Sequence, residues 1–220
     1  PRFRIRDVLT EPLEIHGLKG SSQEREEVAA QALEDVKLTP PQEFMGRYSH
    51  MLSGGQRQRA ATARNLILNP SFIVADEPVS MVDLSTRAEI LAMLKEVQIR
   101  KNLTYLYITH DLSTARYFTD RIAVMYLGKI VEMAKSGDLI DKRYHPYTKA
   151  LIAAVNEPVS GNQNKIKKLP IKGEIPSASN IPDGCRFHPR CVKARTECKK
   201  GNDPELKEIE DGHFVACHLL

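Results

Sequence analysis

Apolar and polar positions recur with two different periods along the chain, and the places where the period changes mark out the elements. From Arg6 to about Val36 the apolar residues keep helical spacing, and SSQEREEVAAQALEDV supplies a serine cap candidate followed by early acids. Leu38-Thr39-Pro40-Pro41 ends that stretch. A second helix is predicted over Gln56–Leu68, closed by Asn69-Pro70. The pattern then shortens to Phe72-Ile73-Val74-Ala75, an apolar run that suits a buried strand, terminated by Asp76-Glu77-Pro78. Helical period returns from about Ser85 to Lys101. Thr104 to Thr109 reads as another strand, a short helix starts at Ser113, and Arg121 to Met133 reads as two strands joined at Leu127-Gly128-Lys129. A further helix follows His145-Pro146-Tyr147. After Asn156-Glu157-Pro158 the composition turns to Gly, Asn, Lys and Pro through about Pro182, which predicts a linker or loop-rich extension. Strand–helix–strand order with apolar strands argues for a parallel α/β core with a helical piece in front of it.

Composition narrows the class. The chain has 220 residues, 27% charged and 41% hydrophobic, an ordinary globular balance able to bury a sizeable core. The net charge of +4 comes from basic residues interleaved with acids, without the localised patch that nucleic acid would need. No apolar run approaches the ~20 residues of a membrane-spanning helix and no secretory pattern opens the chain, so a membrane link is expected to go through a partner protein. All four cysteines fall in the last fifth of the sequence and read as thiols in a reducing compartment. The opening PRFRIRDVLTEPLEIHG has no initiator Met, and the chain is expected to be a fragment.

Chemistry concentrates in four short stretches. Ser53-Gly54-Gly55-Gln56 stands at a predicted helix start. Backbone amides there form an anion site, and glycines let a phosphate approach them; a capped helix with a flexible turn is the competing reading. Asp76 and Glu77 end an apolar strand, where open α/β sheets bind ligands. Asp76 could hold Mg²⁺ through water and Glu77 could polarise an attacking water, against the plainer possibility of two solvated loop acids. Asp83 follows Ser80-Met81-Val82. His110 ends the next strand, on the sheet edge that would carry Asp76 and Glu77. An imidazole there could donate to a phosphate oxygen, although a strand-end histidine is more often structural.

These four features, in this order and spacing, resemble the nucleotide-binding subunit of an ABC transporter. LSGGQ is similar to the family signature, IVADEP to the Walker B strand, SMVD to the D-loop and THD to the switch-histidine loop. The resemblance covers roughly Pro1 to Leu151. It implies a P-loop NTPase core of the ABC type, represented by a helical subdomain and the C-terminal half of the sheet. It implies that Ser53, Gly54, Gly55 and Gln56 bind the ATP phosphates presented by the opposite subunit of a dimer. Asp76 would serve Mg²⁺, Glu77 would be the general base and His110 would contact the γ-phosphate. Asp83 is kept where the family more often reads SALD. No GxxxxGK[ST] occurs in the sequence, so the phosphate cradle and its lysine are missing, as are the adenine-stacking aromatic and the glutamine loop.

EPLEIHG, GKIVE and His145-Pro146-Tyr147-Thr148 resemble the dipeptide and oligopeptide importers, and so does the cysteine tail. The resemblance implies an ATP-hydrolysing subunit that energises peptide uptake. It would pair with a second ATP-binding subunit and with transmembrane permease subunits, peripherally on the cytoplasmic face of the membrane, without nucleic acid. A soluble ABC-type ATPase of DNA repair or translation, and a non-catalytic interaction fragment, are the alternatives. Cys185, Cys191, Cys198 and Cys217 show no C-x2-C knuckle, and spacing leaves Zn²⁺ and a 4Fe–4S cluster open. The resemblance favours 4Fe–4S. A loop-rich tail with little core of its own would need such a staple, with His188, His213 and His218 as supporting candidates. The expected divisions are 1–70 (helical subdomain), 71–157 (C-terminal part of the α/β core) and 158–220 (metal-stapled extension).

Overall fold

The structure, a computed structural model, describes residues 2–80, 82–154 and 169–220. The chain gathers into two units, one running to His110 and the other starting at Asp111. The expected division at 70/71 falls inside the first unit, and the one at 157/158 lies outside the described residues, as do Met81 and the first part of the expected linker.

The first unit opens with helices. The single helical stretch expected over Arg6–Val36 is two helices, α1 (Ile5–Ile15) and α2 (Ser22–Asp35), because Gly17 and Lys19 adopt left-handed backbone between them. Ser21 caps α2 through a reciprocal box with Glu24, as the sequence predicts. A short α3 (Pro41–Met45) and a 3-10 turn (Ser49–Met51), both without a periodic signal, lead to α4 (Gly54–Leu66). Leu9, Leu13, Ala29, Leu33, Val36, Ala63 and Leu66 bury the common face of α1, α2 and α4. Then come β1 (Phe72–Asp76), α5 (Leu84–Lys101) and β2 (Thr104–Ile108). β1 and β2 pair in parallel, Phe72 opposite Thr104 through Asp76 opposite Ile108. The α5 crossover is the unit that parallel pairing requires.

The expectation of a buried strand is corrected. Ile73 is buried, but Phe72 and Val74 are each 52% exposed, as are Leu106 at 50% and Ile108 at 44%. These four share one face of the two-stranded sheet, and no described element of this unit covers it. Helix α5 is held to the helical group by charge. Asp35, itself buried, accepts from Arg100 Nη2 at 3.0 Å and Lys101 Nζ at 2.7 Å.

The second unit starts with α6 (Leu112–Phe118), followed by β3 (Arg121–Tyr126) and β4 (Lys129–Lys135), an antiparallel hairpin turned at Leu127-Gly128 with positive φ at both. Short α7 (Ser136–Asp141) and α8 (Pro146–Ala154) follow. The tail is not merely loop-rich. It contributes β5 (Lys207–Glu210) and β6 (His213–Val215), and the sheet runs β3-β4-β6-β5. Phe187, 1% exposed, sits in the core with Tyr126, Val131, Ala134 and Leu139, edge-on to Tyr126 at 5.2 Å. Asp203 accepts from Arg186 Nε at 2.9 Å and Lys129 Nζ at 3.0 Å, and Arg186 also donates to the Leu127 carbonyl, tying the tail to the hairpin turn. The tail therefore packs into the core of the β3–β4 hairpin and α7 and has backbone pairing before any metal is considered. Strands this short, pairing with a partner about eighty residues away, leave little period-2 signal.

Candidate functional site

Helix α4 begins at the glycines themselves, two residues earlier than its apolar period announces. Ser53 is the N-cap. Its hydroxyl accepts from the Gln56 amide at 3.2 Å, and its own amide donates to the Gln56 side chain at 3.1 Å. The amides of Gly54 and Gly55 lie in the first turn, where helix geometry provides no internal acceptor. The Ser53 hydroxyl still has its proton to donate. Capped helix start and anion site are thus compatible: the cap organises the turn and leaves donors for an anion.

Asp76 and Glu77 stand at the C-terminal end of β1, both exposed. Glu77 has φ +45°, a left-handed conformation costly for a residue with a Cβ, on the order of 1–3 kcal/mol. It is held there from both sides. Its amide donates to the Ile108 carbonyl at 2.9 Å, and its carbonyl accepts from the Ser80 amide at 3.2 Å and hydroxyl at 3.0 Å. The strained turn swings the Glu77 side chain to His110, whose Nδ1 lies 2.9 Å from Glu77 Oε1. An open groove of about 480 Å³ is lined by Asp76, Glu77, Ser80 and, from α4, Gln58. The strand-end grouping expected from the sequence is therefore assembled. Gln58 and Ser80 were not singled out from the sequence, and only the α4 register and the turn after Glu77 place them there.

Asp83 caps α5. Its carboxylate accepts from the Ser85 hydroxyl at 2.6 Å and from the amide and hydroxyl of Thr86 at 3.0 and 2.8 Å. These bonds, the Ser85 hydroxyl foremost, hold its carboxyl well below the usual range. The observed work of Asp83 is to start a helix.

In the second unit all four cysteines are described, none is in a disulfide, and Cys191 and Cys198 are buried. The thiols lie within electrostatic reach of one another: Cys198 and Cys217 act on Cys185, Cys198 on Cys191, and Cys191 and Cys198 on Cys217. Burial pushes Cys185 up to about 11 and raises Cys191 and Cys217. The Cys185 amide donates to the Cys198 carbonyl at 3.0 Å. That approach requires Gly184, where a Cβ would stand 2.7 Å from the same carbonyl on backbone with φ +67°. Lys149 faces Cys217, and Lys172 and Lys193 face Cys191. Among the described residues, however, no group of three or more His, Cys, Asp or Glu side chains is arranged to hold a metal ion.

The histidines sort differently from expectation. His188 Nδ1 lies 3.0 Å from the Cys185 carbonyl, beside the thiols. His213 is buried and its Nε2 lies 2.8 Å from Glu132 Oε1. Glu132, fully buried on β4, also accepts from the amides of Tyr144 at 2.8 Å and His145 at 2.9 Å, at the start of α8. His145 is buried as well, and desolvation lowers it to about 4, so it is neutral near pH 7. Glu132 went unnoticed in GKIVE, because one acid in a strand looks like a solvent-facing position.

No described helix is long and apolar enough to cross a membrane. A family model described as ABC transporter matches residues 1–80, and one described as oligopeptide/dipeptide transporter, C-terminal region, matches residues 131–198. The oligopeptide transport ATP-binding protein AppF of Bacillus subtilis is 46% identical over 221 residues, and the dipeptide transport ATP-binding protein DppF of Haemophilus influenzae is 43% identical over 217. The matches take in 100% and 99% of this chain, which spans 65% and 64% of those proteins, just under two thirds of their length. A Brucella ovis protein, provisionally named a peptide import ATP-binding protein, is 45% identical, and the chain spans 67% of it. Among solved structures, the dimeric ATP-binding cassette MJ0796 bound to ADP and Pi is 33% identical with a TM-score of 0.54, over 62% of this chain and 58% of that one. With an α/β cassette fold, the signature helix start and the acid-ended strand in place, the chain belongs to the ABC transporter family, among the ATP-binding proteins of oligopeptide and dipeptide transport.

Proposed function

We propose that this chain is part of a subunit that hydrolyses ATP to drive peptide import, seated peripherally on the cytoplasmic face of the membrane. It would work with a second ATP-binding subunit and transmembrane permease subunits. The observation that carries the reading is the Glu77–His110 pair, 2.9 Å apart at the end of a parallel sheet, with Glu77 in strained backbone held by two flanking bonds. Strain kept by its surroundings at a strand end is characteristic of a site where one side chain must point one way. In this reading the Glu77 carboxylate takes the proton of the water that attacks the γ-phosphate. His110 orients that carboxylate and contacts the phosphate. Ser53, Gly54, Gly55 and Gln56 close over the γ-phosphate of the opposite subunit with amide and hydroxyl donors. Asp76, exposed beside Glu77 on the groove, would hold Mg²⁺ through water. Mg²⁺ supplies neutralisation of charge on the phosphate oxygens. Asp83 contributes by capping α5, and the three-part division of the chain belongs to the same reading.

The test is direct. The 220-residue sequence has no GxxxxGK[ST], so the chain alone should turn over no ATP, whereas the complete subunit should. Turnover by the chain alone, abolished by Glu77→Gln, would contradict the expectation that catalysis needs the missing cradle; a complete subunit without turnover would contradict the proposed activity.

The four cysteines form the second part of the proposal. The resemblance to the importers favours a 4Fe–4S cluster there over a single Zn²⁺, while among the described residues no group of three or more His, Cys, Asp or Glu side chains is arranged to hold a metal ion. Support comes from the mutual reach of the thiols and from Lys149, Lys172 and Lys193 around them, which offset the negative charge that thiolate ligation brings. Because the tail has strands and packs Phe187 into the core beside Tyr126 and Val131, the cluster would be a local brace rather than the sole staple. Protein purified without oxygen should be brown, with iron and sulfide in equal amounts. Cys191→Ser should lose the colour and expose new protease sites after about Pro182, leaving the first unit folded. A colourless protein holding zinc would remove the cluster, and Cys191→Ser protein that keeps its iron would remove Cys191 from its ligands.

A further inference from the structure

The second signature glycine has a neighbour in its own chain. Gly55 is buried, and a Cβ built on it would stand 2.5 Å from Thr86 Cγ2 in the first turn of α5. That approach is far inside any real contact, and Thr86 cannot step aside. Its hydroxyl donates to Asp83 Oδ2 at 2.8 Å and its amide donates to Asp83 Oδ1 at 3.0 Å. Turning χ1 to withdraw the methyl would break the hydroxyl bond, and a β-branched side chain in a helix has few rotamers to choose from. A second tie runs one turn further along, where Arg59 Nη2 of α4 meets Glu89 Oε2 of α5 at 3.1 Å. Two capped helix starts therefore face each other: α4 organised by Ser53 and Gln56, α5 organised by Asp83.

We infer that Thr86 is a positioning residue: its methyl seats Gly55, and its hydroxyl ties that seat to Asp83. The phosphate-facing start of α4 and the Asp83-capped start of α5 are thereby held in one register. The inference rests on the reading of Ser53–Gln56 as the phosphate contact. It adds that the glycine is required by packing from within the chain, in addition to any approach of phosphate. Asp83 then reaches the site through Thr86 and Gly55.

The experiment compares Gly55→Ala with Gly55→Ala combined with Thr86→Ser in the complete subunit, measuring melting temperature and the kcat and KM for ATP. Serine removes Cγ2 and keeps the hydroxyl that binds Asp83. Gly55→Ala should lower kcat by about 10²-fold, the scale of an ångström-sized misplacement, with KM for ATP little changed. The added Thr86→Ser should restore most of kcat and of the melting temperature. Thr86→Val, which keeps the bulk and loses the bond to Asp83, should lower kcat about tenfold, one lost hydrogen bond's worth, and keeps the inference testable if Gly55→Ala does not fold. A double variant as slow as Gly55→Ala, or Thr86→Val at full rate, overturns the inference. Ser53→Arg distinguishes the two levels. Turnover lost there without rescue in the double variant leaves the phosphate reading standing and removes only the role of Thr86. Turnover unaffected by Ser53→Arg removes the phosphate reading, and the inference with it.

Discussion

Glu77→Gln in the complete subunit is expected to leave ATP binding intact and to lower hydrolysis by about 10²–10⁴-fold, the range for loss of a general base. Glutamine has nearly the size of glutamate, so the left-handed turn, held by the Ile108 carbonyl and by Ser80, has no reason to move. Its amide can still bond His110 Nδ1 with either end, depending on the imidazole tautomer. What it cannot do is accept a proton from water. The change thus separates geometry from basicity: melting temperature and nucleotide affinity should stay near wild type while turnover collapses. A rate within a few-fold of wild type would show that Glu77 is not the base, whatever its position.

The largest effect on stability is expected at Glu132. Its carboxylate, fully buried, receives the Tyr144 and His145 amides and the His213 ring, joining β4 to β6 and to the start of α8. Glu132→Ala strands those donors away from water. Removing one member of such a buried set costs about 3–5 kcal/mol, far more than an exposed pair such as Lys142–Glu210 contributes. The second unit should unfold at lower denaturant, and the Tyr144 and His145 amides should lose hydrogen-exchange protection first. The first unit should be untouched, because no part of this network lies before Asp111. Loss of less than about 1 kcal/mol would mean the network is replaceable by water.

The contrast between these two residues shows what the sequence displays and what it hides. Glu77 was legible because its context is local: an apolar run, two acids and a proline fix a strand end within seven residues. The Ser21 and Ser53 caps and the Leu127-Gly128 hairpin were legible for the same reason, since cap and turn chemistry acts over three or four residues. Glu132 meets His213 only when the tail folds back to pair with β4, a contact across 81 positions that no local period records. The exposure of Phe72, Val74, Leu106 and Ile108 was hidden for a related reason. An apolar strand predicts that something covers it, and the sequence cannot say whether the covering element is present. Gly55 belongs to both groups: the glycine is visible, while Thr86, the neighbour that demands it, is not.

Pairing of two subunits around ATP underlies every role given to Ser53–Gln56. It is tested most directly by the mass in solution of the complete Glu77→Gln subunit, measured by sedimentation with and without ATP. With hydrolysis blocked, ATP should double the mass and ADP should not, because only ATP carries the γ-phosphate for the opposite α4 start to hold. Adding Ser53→Arg should return the protein to single subunits in ATP. A mass unchanged by ATP, or a dimer indifferent to Ser53→Arg, would contradict the account.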